Sequence, residues 1–285
     1  MVDLSLAYLL LLTPFILLAV LFFIVRPYPV KIPIKNRHVF ITGGSSGIGL
    51  ALAHQAASAG ARVSILARSQ AKLEEAKRAV QLATGIDVAT FAADVRDFDA
   101  VNRAVEAAGP VDVLVVNQGV FVPGELERLR LDEFRFMIDV NLIGSFNMIK
   151  AVLPAMKGRA DKRPASIALM SSQAGQIDSI DSREWLFAET KIRPQLTNII
   201  AESSGAMKAE VVAKKALDGI KSGSFIVPCS FEGLLLSIAT AGMSPQRSSV
   251  MAFVEVVAIG WVRFAALFFQ WNWYGLINKW HAQQK

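Results

Sequence analysis

The chain has 285 residues, of which 53% are hydrophobic, and a formal net charge of +6 at pH 7. This length suits one large α/β domain, but the mean hydropathy of +0.41 exceeds what a purely soluble protein needs. Cys229 is the only cysteine, which excludes an intrachain disulfide, and the three histidines stand far apart, so no metal site is expected. The positive charge is spread along the chain and gives little support to nucleic-acid binding.

The first apolar segment lies at the N-terminus, where residues 4–25 contain no charged residue. A run of this length crosses a hydrocarbon core of roughly 30 Å. A cleaved signal peptide is the alternative, but its basic start is missing, since the only early charge is Asp3. We predict a transmembrane anchor over residues 1–25 and a basic linker over residues 26–37. The positive-inside rule places the following domain in the cytosol, because cations crowd this linker: Arg26, Lys31, Lys35 and Arg37.

A short apolar strand then runs into a glycine-rich turn, and residues 38–49 read HVFITGGSSGIG. Gly43 permits a tight turn, Gly47 lets the backbone approach a pyrophosphate, and Gly49 lets the next helix pack closely on its strand. The anionic group of a nucleotide would face the positive end of that helix. An ordinary glycine-rich loop is the alternative. The pattern predicts a nucleotide-phosphate site formed by Gly43, Ser45, Ser46, Gly47, Ile48 and Gly49.

Two cations follow the second predicted strand, residues 62–67. Arg68 comes directly after the strand, and Lys72 lies one turn into a helix predicted over residues 70–81. In Rossmann domains an acidic residue at this point binds the ribose 2′-hydroxyl of NAD, whereas a 2′-phosphate requires a cation. Since the strand end has no Asp or Glu, the sequence favours NADPH. The alternative is that Arg68 and Lys72 are ordinary solvent-exposed charges.

Three further predicted strands each end beside polar residues. They cover residues 88–95, 111–116 and 165–170. Asp94 and Val95 end the first of them, Asn117 and Gly119 follow the second, and Ser172 follows the third. Taken singly, each of these residues could be a cap or a turn residue.

Together with the Thr-Gly-x-x-x-Gly-x-Gly spacing that begins at Thr42, these motifs resemble the short-chain dehydrogenase/reductase family. The resemblance implies an α/β fold with a Rossmann-type, doubly wound parallel sheet. It also implies that Asp94-Val95 lies against the adenine of the cofactor and that Asn117 and Gly119 belong to the cofactor site.

The resemblance implies two catalytic roles. Asn141 lies in a helix predicted over residues 134–156 and matches the family's structural and proton-relay asparagine. Ser172 matches the serine that donates a hydrogen bond to the substrate carbonyl. The same helix is typical of the family's dimer interface.

The family's proton donor, a tyrosine with a lysine four residues later, is absent from the sequence. The only tyrosines are Tyr8, Tyr28 and Tyr274, and none has Lys at the fourth position beyond it. The stretch from Gly175 to Pro194 is also too short for a crossover helix and a sixth strand, because a strand-helix-strand unit needs about 30 residues. We therefore predict a Rossmann domain over residues 38–230 that is truncated after its fifth strand, through alternative splicing, a gene-model error or divergence.

The C-terminal residues 231–285 are predicted to form a hydrophobic membrane-associated tail. Apolar residues fill 233–241 and 250–276, but Glu255 and Arg263 interrupt the second stretch and would be costly at the bilayer centre. Its tryptophans resemble an interfacial belt, although a buried aromatic cluster is the alternative. A re-entrant or interfacial hairpin is preferred to two full spans.

Within the family, the chain is most similar to the sphingoid-ketone reductases, also called 3-ketodihydrosphingosine or 3-dehydrosphinganine reductases. The N-terminal anchor, the Leu66-Ala-Arg68 motif, the SSQAGQ motif at residues 171–176 and the hydrophobic tail carry this resemblance. It implies NADPH-dependent reduction of the C3 ketone of 3-dehydrosphinganine to sphinganine in sphingolipid biosynthesis. It also implies the endoplasmic reticulum membrane, with the Rossmann domain facing the cytosol.

Because the catalytic pair is missing, this form is predicted to be catalytically impaired. Three hypotheses remain open. The chain could be a working reductase in which Lys191 or another group substitutes for the pair. It could be an inactive NADP(H)-binding splice variant or pseudoenzyme that forms a homodimer or pairs with the full-length enzyme. It could also be a product that misfolds, because the loss of a central crossover exposes a strand edge and an apolar surface.

Overall fold

The computed structural model describes residues 4–25, 30–122, 129–172, 207–242 and 244–283. The chain divides into two compact units, one formed by Lys31–Lys221 and the other by Met1–Val30 together with Ser222–Lys285. The stretch from Gly175 to Pro194, with Lys191, lies outside the described residues. The proposed loss of a crossover helix and a sixth strand therefore stays a prediction.

Within the described residues, five parallel strands form one sheet in the order β3-β2-β1-β4-β5. The strands are β1 (His38–Thr42), β2 (Arg62–Ala67), β3 (Ala89–Ala92), β4 (Val113–Val116) and β5 (Ser166–Leu169). Every residue of β1 and β4 is buried, as expected where helices cover both faces of a parallel sheet. The predicted Rossmann-type sheet is confirmed.

The helices of the Lys31–Lys221 unit lie between and after these strands. They are α2 (Gly47–Ser58), α3 (Gln70–Thr84), α4 (Phe98–Ala108), α5 (Leu131–Ile138), α6 (Gly144–Lys157) and α7 (Ala209–Ser222, whose last residue falls in the other unit), with a π-helical turn at Asp139–Ile143 joining α5 to α6. The other unit contains α1 (Leu4–Ile24), α8 (Phe231–Ala239) and α9 (Ser249–Gln283). Local signals set several of these bounds. Ser69 caps α3 by accepting a hydrogen bond from the Lys72 N–H, and α3 ends at Gly85, which has a φ of 73°.

Two hydrophobic clusters cover the two faces of the sheet. On one face, Val39 and Ile41 of β1 pack in a cluster with residues of α2, α3 and α7. On the other face, Phe40 of β1 packs in a cluster with residues of α4 and α6 such as Val105 and Met148. Alternate residues of β1 thus point to opposite faces, which is the geometry of a doubly wound fold.

Three predicted strands are longer than the observed ones. Residues 88–95, 111–116 and 165–170 were predicted, whereas β3, β4 and β5 each contain 4 residues. At the end of β3 the reason is visible, because the Val95 carbonyl accepts a hydrogen bond from Nδ2 of Asn147 at 2.9 Å instead of continuing the ladder. The predicted bounds of β2 match the structure.

By length and composition, two helical stretches of the described chain could cross a membrane: Leu131–Lys157 and Ser249–Phe268. The first belongs to the Rossmann domain, and one of its faces is buried. Met148 and Val152 pack in the hydrophobic cluster that contains Phe40, and Asn147 is buried at the end of β3. The second is only 6% buried. At the N-terminus, Leu12–Ile24 forms a shorter apolar helix within α1. The N-terminal anchor and the membrane-associated tail remain predictions.

A buried ionic network holds the N-terminal ends of β1 and β4 together. Asp112 accepts hydrogen bonds from Nη1 of Arg37 at 2.8 Å and from the backbone N–H of His38 at 2.7 Å, and it also pairs with Arg159. Nε2 of His38 lies 2.8 Å from the Ser64 hydroxyl. Burial lowers the pKa of His38 from its ordinary value of 6.5. Burial raises the pKa of Asp112, but the hydrogen bonds from His38, Arg159 and Arg37 outweigh it and leave that pKa below its ordinary value.

Acidification is expected to destabilise the Rossmann domain in two steps. The folded state binds the His38 proton less readily than the unfolded state, so stability is lost as pH falls below about 6.5. Asp112 contributes stability above its ordinary pKa of 3.8 that is lost as pH falls through its lower folded-state pKa. Thermal unfolding measured between about pH 7.5 and 3 should show both steps. The substitution H38Q should remove the upper step and leave the lower one; an unchanged slope near pH 6 in H38Q would contradict the assignment.

Candidate cofactor site

The glycine-rich turn joins β1 to α2 at the carboxyl edge of the sheet. Gly43 and Gly47 have φ values of 62° and 53°, in the left-handed region that L side chains rarely adopt. A Cβ added to Gly49 would lie 2.2 Å from the carbonyl oxygen of Gly43, which no side chain tolerates. The backbone therefore requires glycine at all three predicted positions.

The predicted phosphate-binding residues lie where this turn enters α2. Ser46 is the N-cap residue of α2 with extended backbone, and its side chain makes no capping hydrogen bond. The first N–H groups of α2, beginning at Gly47 and Ile48, have no acceptor within the helix. Ser45 lies half-buried in the turn itself. Open N–H groups at a helix N-terminus, approached through glycines, form a site that suits a pyrophosphate.

Asn117 fastens the turn to the end of β4. Its Nδ2 donates hydrogen bonds to the carbonyl oxygens of Thr42 at 3.2 Å and Gly43 at 3.4 Å. Its backbone N–H donates to Oγ1 of Thr42 at 2.9 Å. These contacts fix the spacing between the ends of β1 and β4 before any ligand arrives.

Gln118 connects this point to the long helix that carries Asn141. Nε2 of Gln118 donates to the Ser145 hydroxyl at 2.9 Å, and that hydroxyl donates to the carbonyl oxygen of Asn141 at 2.6 Å. The Asn141 side chain exchanges two hydrogen bonds with the backbone of Val120, both 2.8 Å long. Gly119 lies in the same loop, and a Cβ added to it would lie 3.7 Å from Oδ1 of Asn141. The Asn141 side chain thus links the π-helical turn to the loop after β4, and its expected structural and proton-relay roles stay predictions.

The helix predicted over residues 134–156 differs from the observed one. It begins at Leu131, ends at Lys157 and contains the π-helical turn Asp139–Ile143, in which Asn141 lies. An extra residue in one turn shifts the face that the following residues present, and such turns are frequent at functional sites. The sequence prediction of this helix gave no sign of the turn.

Ser172 lies at the same edge of the sheet. The N–H of Met170 donates to the Val116 carbonyl at 2.9 Å, so Ser171 and Ser172 follow the strand that borders β4. Both serine side chains are exposed. The role of Ser172 toward a substrate stays a prediction.

The remaining predicted residues follow β2 and β3. Arg68 and Lys72 are both exposed, at the end of β2 and in the first turn of α3. Asp94 follows β3 and pairs with Arg96, whose guanidinium nitrogens lie 2.7–3.1 Å from the carboxylate oxygens. The hydrogen bonds from the Arg96 side chain lower the pKa of Asp94 below its ordinary value. Val95 is buried next to this pair.

A cavity of about 400 Å³ opens beside the end of β3. Its lining residues are Asp94, Arg96, Asp97, Asp139 and Ile143. Asn147 of α6 holds the loop after β3 through hydrogen bonds to the carbonyl oxygens of Val95 at 2.9 Å and Arg96 at 3.3 Å. The cavity therefore joins the ends of β3 and α5, where the adenine was expected.

The structure thus brings the predicted cofactor-binding residues into two groups at one edge of the sheet. One is the glycine-rich turn with Asn117, and the other is the cluster after β2 and β3 with Arg68 and Asp94. Sequence reasoning missed several residues that hold these groups: Arg96, Gln118, Ser145 and Asn147. Two of them had a sequence signal, because Ser145 and Asn147 are polar residues within an otherwise apolar helical pattern. Among the described residues, no cluster of three or more His, Cys, Asp or Glu side chains could hold a metal ion.

Comparison with known proteins decides the family. The family model described as short chain dehydrogenase matches residues 37–183. The chain belongs to the short-chain dehydrogenase family. Members of this family bind NAD or NADP, and the steric need for glycine in the turn fits a nicotinamide dinucleotide at this site.

The relatives of this short-chain dehydrogenase include several reductases. The 3-dehydrosphinganine reductase TSC10A of Arabidopsis thaliana is 57% identical over 294 aligned positions, which cover 90% of each chain. TSC10B of the same plant is 55% identical, over 94% of this chain and 92% of its own. The 3-dehydrosphinganine reductase of Danio rerio is 30% identical over 92% and 91% of the two chains.

Solved structures support the fold alone. The apo form of LigD from Sphingobium sp. strain SYK-6 has a TM-score of 0.56 and 23% identity, covering 68% of this chain and 89% of its own. The structure of gox2181 has a TM-score of 0.55 and 22% identity, covering 67% and 90% of the two chains.

Proposed function

We propose that this short-chain dehydrogenase binds NADPH and belongs to the 3-dehydrosphinganine reductases of sphingolipid biosynthesis, with a catalytic step that is impaired in this form. The reaction is the reduction of the C3 ketone of 3-dehydrosphinganine to sphinganine. One observation carries the proposal. The chain is 57% identical to a 3-dehydrosphinganine reductase over 90% of both chains. The glycine-rich turn, whose shape the backbone enforces, agrees with it.

Different residues of the site would bind different parts of the cofactor. The N–H groups at the start of α2 and the serines Ser45 and Ser46 would hold the pyrophosphate. Asp94 and Val95 would face the adenine. Asn117 and Gly119 would line the path toward the nicotinamide. When bound, NADPH supplies the hydride for the ketone carbon.

The choice of NADPH rests on charge at the end of β2. Arg68 and Lys72 are exposed there, and within the described part of the chain the Arg68 guanidinium forms no salt bridge. Asp94, whose charge interacts with Arg68 at longer range, is already paired with Arg96. A cation without a carboxylate partner at this point suits a 2′-phosphate and disfavours a bare ribose hydroxyl.

The substrate side of the site is incomplete. Ser172 would donate a hydrogen bond to the ketone oxygen, and Asn141 would position a water. The sequence has no tyrosine with a lysine four residues later to deliver the proton. The alignment with TSC10A spans 294 positions although this chain has only 285 residues, which supports the view that relatives carry a segment that this chain lacks.

Attachment to the membrane is part of the same proposal. The predicted division is an anchor over residues 1–25, a linker over 26–37, the Rossmann domain over 38–230 and a membrane-associated tail over 231–285. The tail contains α8, whose 9 residues are too few to cross a bilayer, and α9, whose 35 residues exceed the roughly 20 that are needed. Exposed aromatic residues on α9, such as Trp261, Phe264 and Trp271, suit a lipid contact. We place the protein in the endoplasmic reticulum membrane with the Rossmann domain in the cytosol and a long-chain ketone arriving from the bilayer.

A second candidate function is favoured by the missing catalytic pair. The chain would then be an inactive NADP(H)-binding protein that forms a homodimer or pairs with the full-length enzyme. The exposed apolar side chains of α6 and of the π-helical turn before it, among them Leu142 and Phe146, offer a face for such pairing. Co-purification of the reductase with the tagged chain from the same membranes would distinguish this function from a solitary enzyme.

Cofactor choice is testable without turnover. NADPH at about 100 times its Kd is expected to add about 2.7 kcal/mol to the stability of the purified chain, which raises Tm by roughly 5 to 10 °C. NADH should give a much smaller shift. R68A is expected to weaken NADPH binding about 10- to 100-fold, because a charge-assisted contact to the 2′-phosphate is lost. R103A, which removes an arginine of α4 away from the turn, is the matched control. Equal shifts with NADH and NADPH would contradict the proposed cofactor.

A further inference from the structure

Two guanidinium groups lie close to one aromatic ring at the edge of the candidate cofactor site. The ring of Phe136, in α5, has Cζ of Arg96 at 5.2 Å and Cζ of Arg68 at 6.0 Å from its centroid. Both distances fall within the roughly 6 Å over which a ring face attracts a cation. The half-buried ring thus connects the ends of β2 and β3 to the helix that leads into Asn141.

The two cations on this ring differ in what else holds them. The Arg96 guanidinium donates to both oxygens of Asp94, with Nη2 at 2.7 Å and Nε at 3.1 Å from them, and its backbone N–H donates to the same carboxylate at 3.0 Å. The Arg96 charge is therefore compensated and its position fixed. Arg68 contacts the Phe136 ring, and it interacts electrostatically with Asp94 at longer range.

These contacts decide whether the Arg68 guanidinium is held at the end of β2 or is free to leave it. With Arg96 on Asp94 and the ring of Phe136 beside it, the Arg68 guanidinium stays at the end of β2, where a 2′-phosphate would lie. Without Arg96, the Asp94 carboxylate would lose its partner, and its charge, which already acts on Arg68, would attract that guanidinium away from the phosphate position. Without the ring, an exposed arginine gains rotamer freedom that phosphate binding has to remove.

We infer that Phe136 and Arg96 are positioning residues for the cofactor's 2′-phosphate: they hold the Arg68 guanidinium in place and keep Asp94 from competing for it. This inference rests on the proposed NADPH site and names the residues outside the glycine-rich turn that set its selectivity. Neither Phe136 nor Arg96 has to touch the cofactor. Selectivity for a 2′-phosphate would then depend on α5 as well as on the strand ends.

The test compares two ligands that differ only in the 2′-phosphate, 2′,5′-ADP and 5′-AMP. Neither contains nicotinamide, so binding to the purified full-length chain reports the adenosine end without any catalytic residue. The ratio of the two affinities is the readout. F136L is expected to lower this ratio about 3- to 5-fold, because the leucine keeps bulk and loses the ring face. F136Y, which keeps the ring, should retain the ratio, and F134L is the matched control on the same helix.

Arg96 is tested by a double-mutant cycle. R96Q is expected to lower the same ratio at least as much as F136L, because it leaves the Asp94 carboxylate to compete for Arg68. D94N combined with R96Q should restore the ratio, since the competing charge is then removed. Any effect on adenine binding cancels in the ratio.

The outcomes separate this inference from the proposed function. If the unsubstituted chain binds neither ligand, the cofactor site itself is wrong and the inference falls with it. If the unsubstituted chain prefers 2′,5′-ADP and F136L and R96Q keep that preference, only the positioning role is wrong. An equal loss of both ligands in F136L, with F134L unaffected, would assign Phe136 a structural role and would also overturn the inference.

Discussion

Purified in phospholipid nanodiscs and supplied with NADPH and 3-dehydrosphinganine, the chain is expected to form sphinganine at least about 100-fold more slowly than Arabidopsis TSC10A. A positioned general acid typically contributes about 10²- to 10⁴-fold to a rate, and none of the three tyrosines in this sequence has a lysine four residues later. NADPH consumption and direct detection of sphinganine measure the effect. TSC10A, which is 57% identical, is the matched positive control.

Two substitutions decide what any residual turnover means. K191A tests whether Lys191 substitutes for the missing pair, and S172A tests whether the residual reaction uses the predicted carbonyl contact. If the site is inert, both variants retain the same background rate. Turnover within about tenfold of TSC10A would overturn the proposed impairment, and a loss of that turnover in K191A would identify the substitute. The NADPH-induced rise in Tm distinguishes a chain that binds NADPH without catalysing the reaction from one that does not bind NADPH.

The parts of the fold that the sequence could predict depend on local signals. The apolar run of β1 and the glycine spacing after it lie within a dozen residues, and their meaning is steric, so the turn and the start of α2 were predictable. The bounds of β2 were predictable for the same reason, since a buried apolar run is followed at once by Arg68. The end of β3 was not predictable, because Asn147 stands 52 residues from the Val95 carbonyl that it binds.

Contacts between distant residues account for most of what was missed in the site. Arg68, Arg96 and Phe136 come from three separate elements, and no spacing rule brings them together before the fold is known. The salt bridge between Arg37 and Asp112 spans 75 residues, so an arginine assigned to the linker forms a buried pair with the residue that precedes β4. Arg37 was assigned to a membrane-flanking cluster, whereas the structure buries its side chain to 4% exposure at the base of the sheet.

The π-helical turn shows a limit of a different kind. A helix was predicted over residues 134–156, and the helix exists, but one inserted residue changes which side chains face the sheet after it. Gly144 follows the turn, and a Cβ there would lie 2.5 Å from Cγ2 of Val95. Only this close approach explains a glycine at a position where helix propensity disfavours one.

Gly49 is the position where a single methyl group should do most harm. A Cβ at Gly49 would meet the Gly43 carbonyl oxygen at 2.2 Å and Nδ2 of Asn117 at 2.6 Å. One neighbour is backbone and the other is the side chain that fastens the turn to β4, so neither can yield without opening the cradle. G49A is expected to weaken NADPH binding at least about 100-fold and to lower the stability of the domain by about 1–3 kcal/mol.

Gly85 provides the control for G49A because it separates the cost of losing a glycine from the cost of filling the cradle. It ends α3 with a φ of 73°, and a Cβ added there would meet no atom within 4 Å, so G85A should cost only about 1–2 kcal/mol of backbone strain. Its NADPH-induced rise in Tm should equal that of the unsubstituted chain. If G49A instead kept NADPH affinity within about twofold, the phosphates would not rest on this turn, and the cofactor would have to bind elsewhere on the sheet edge.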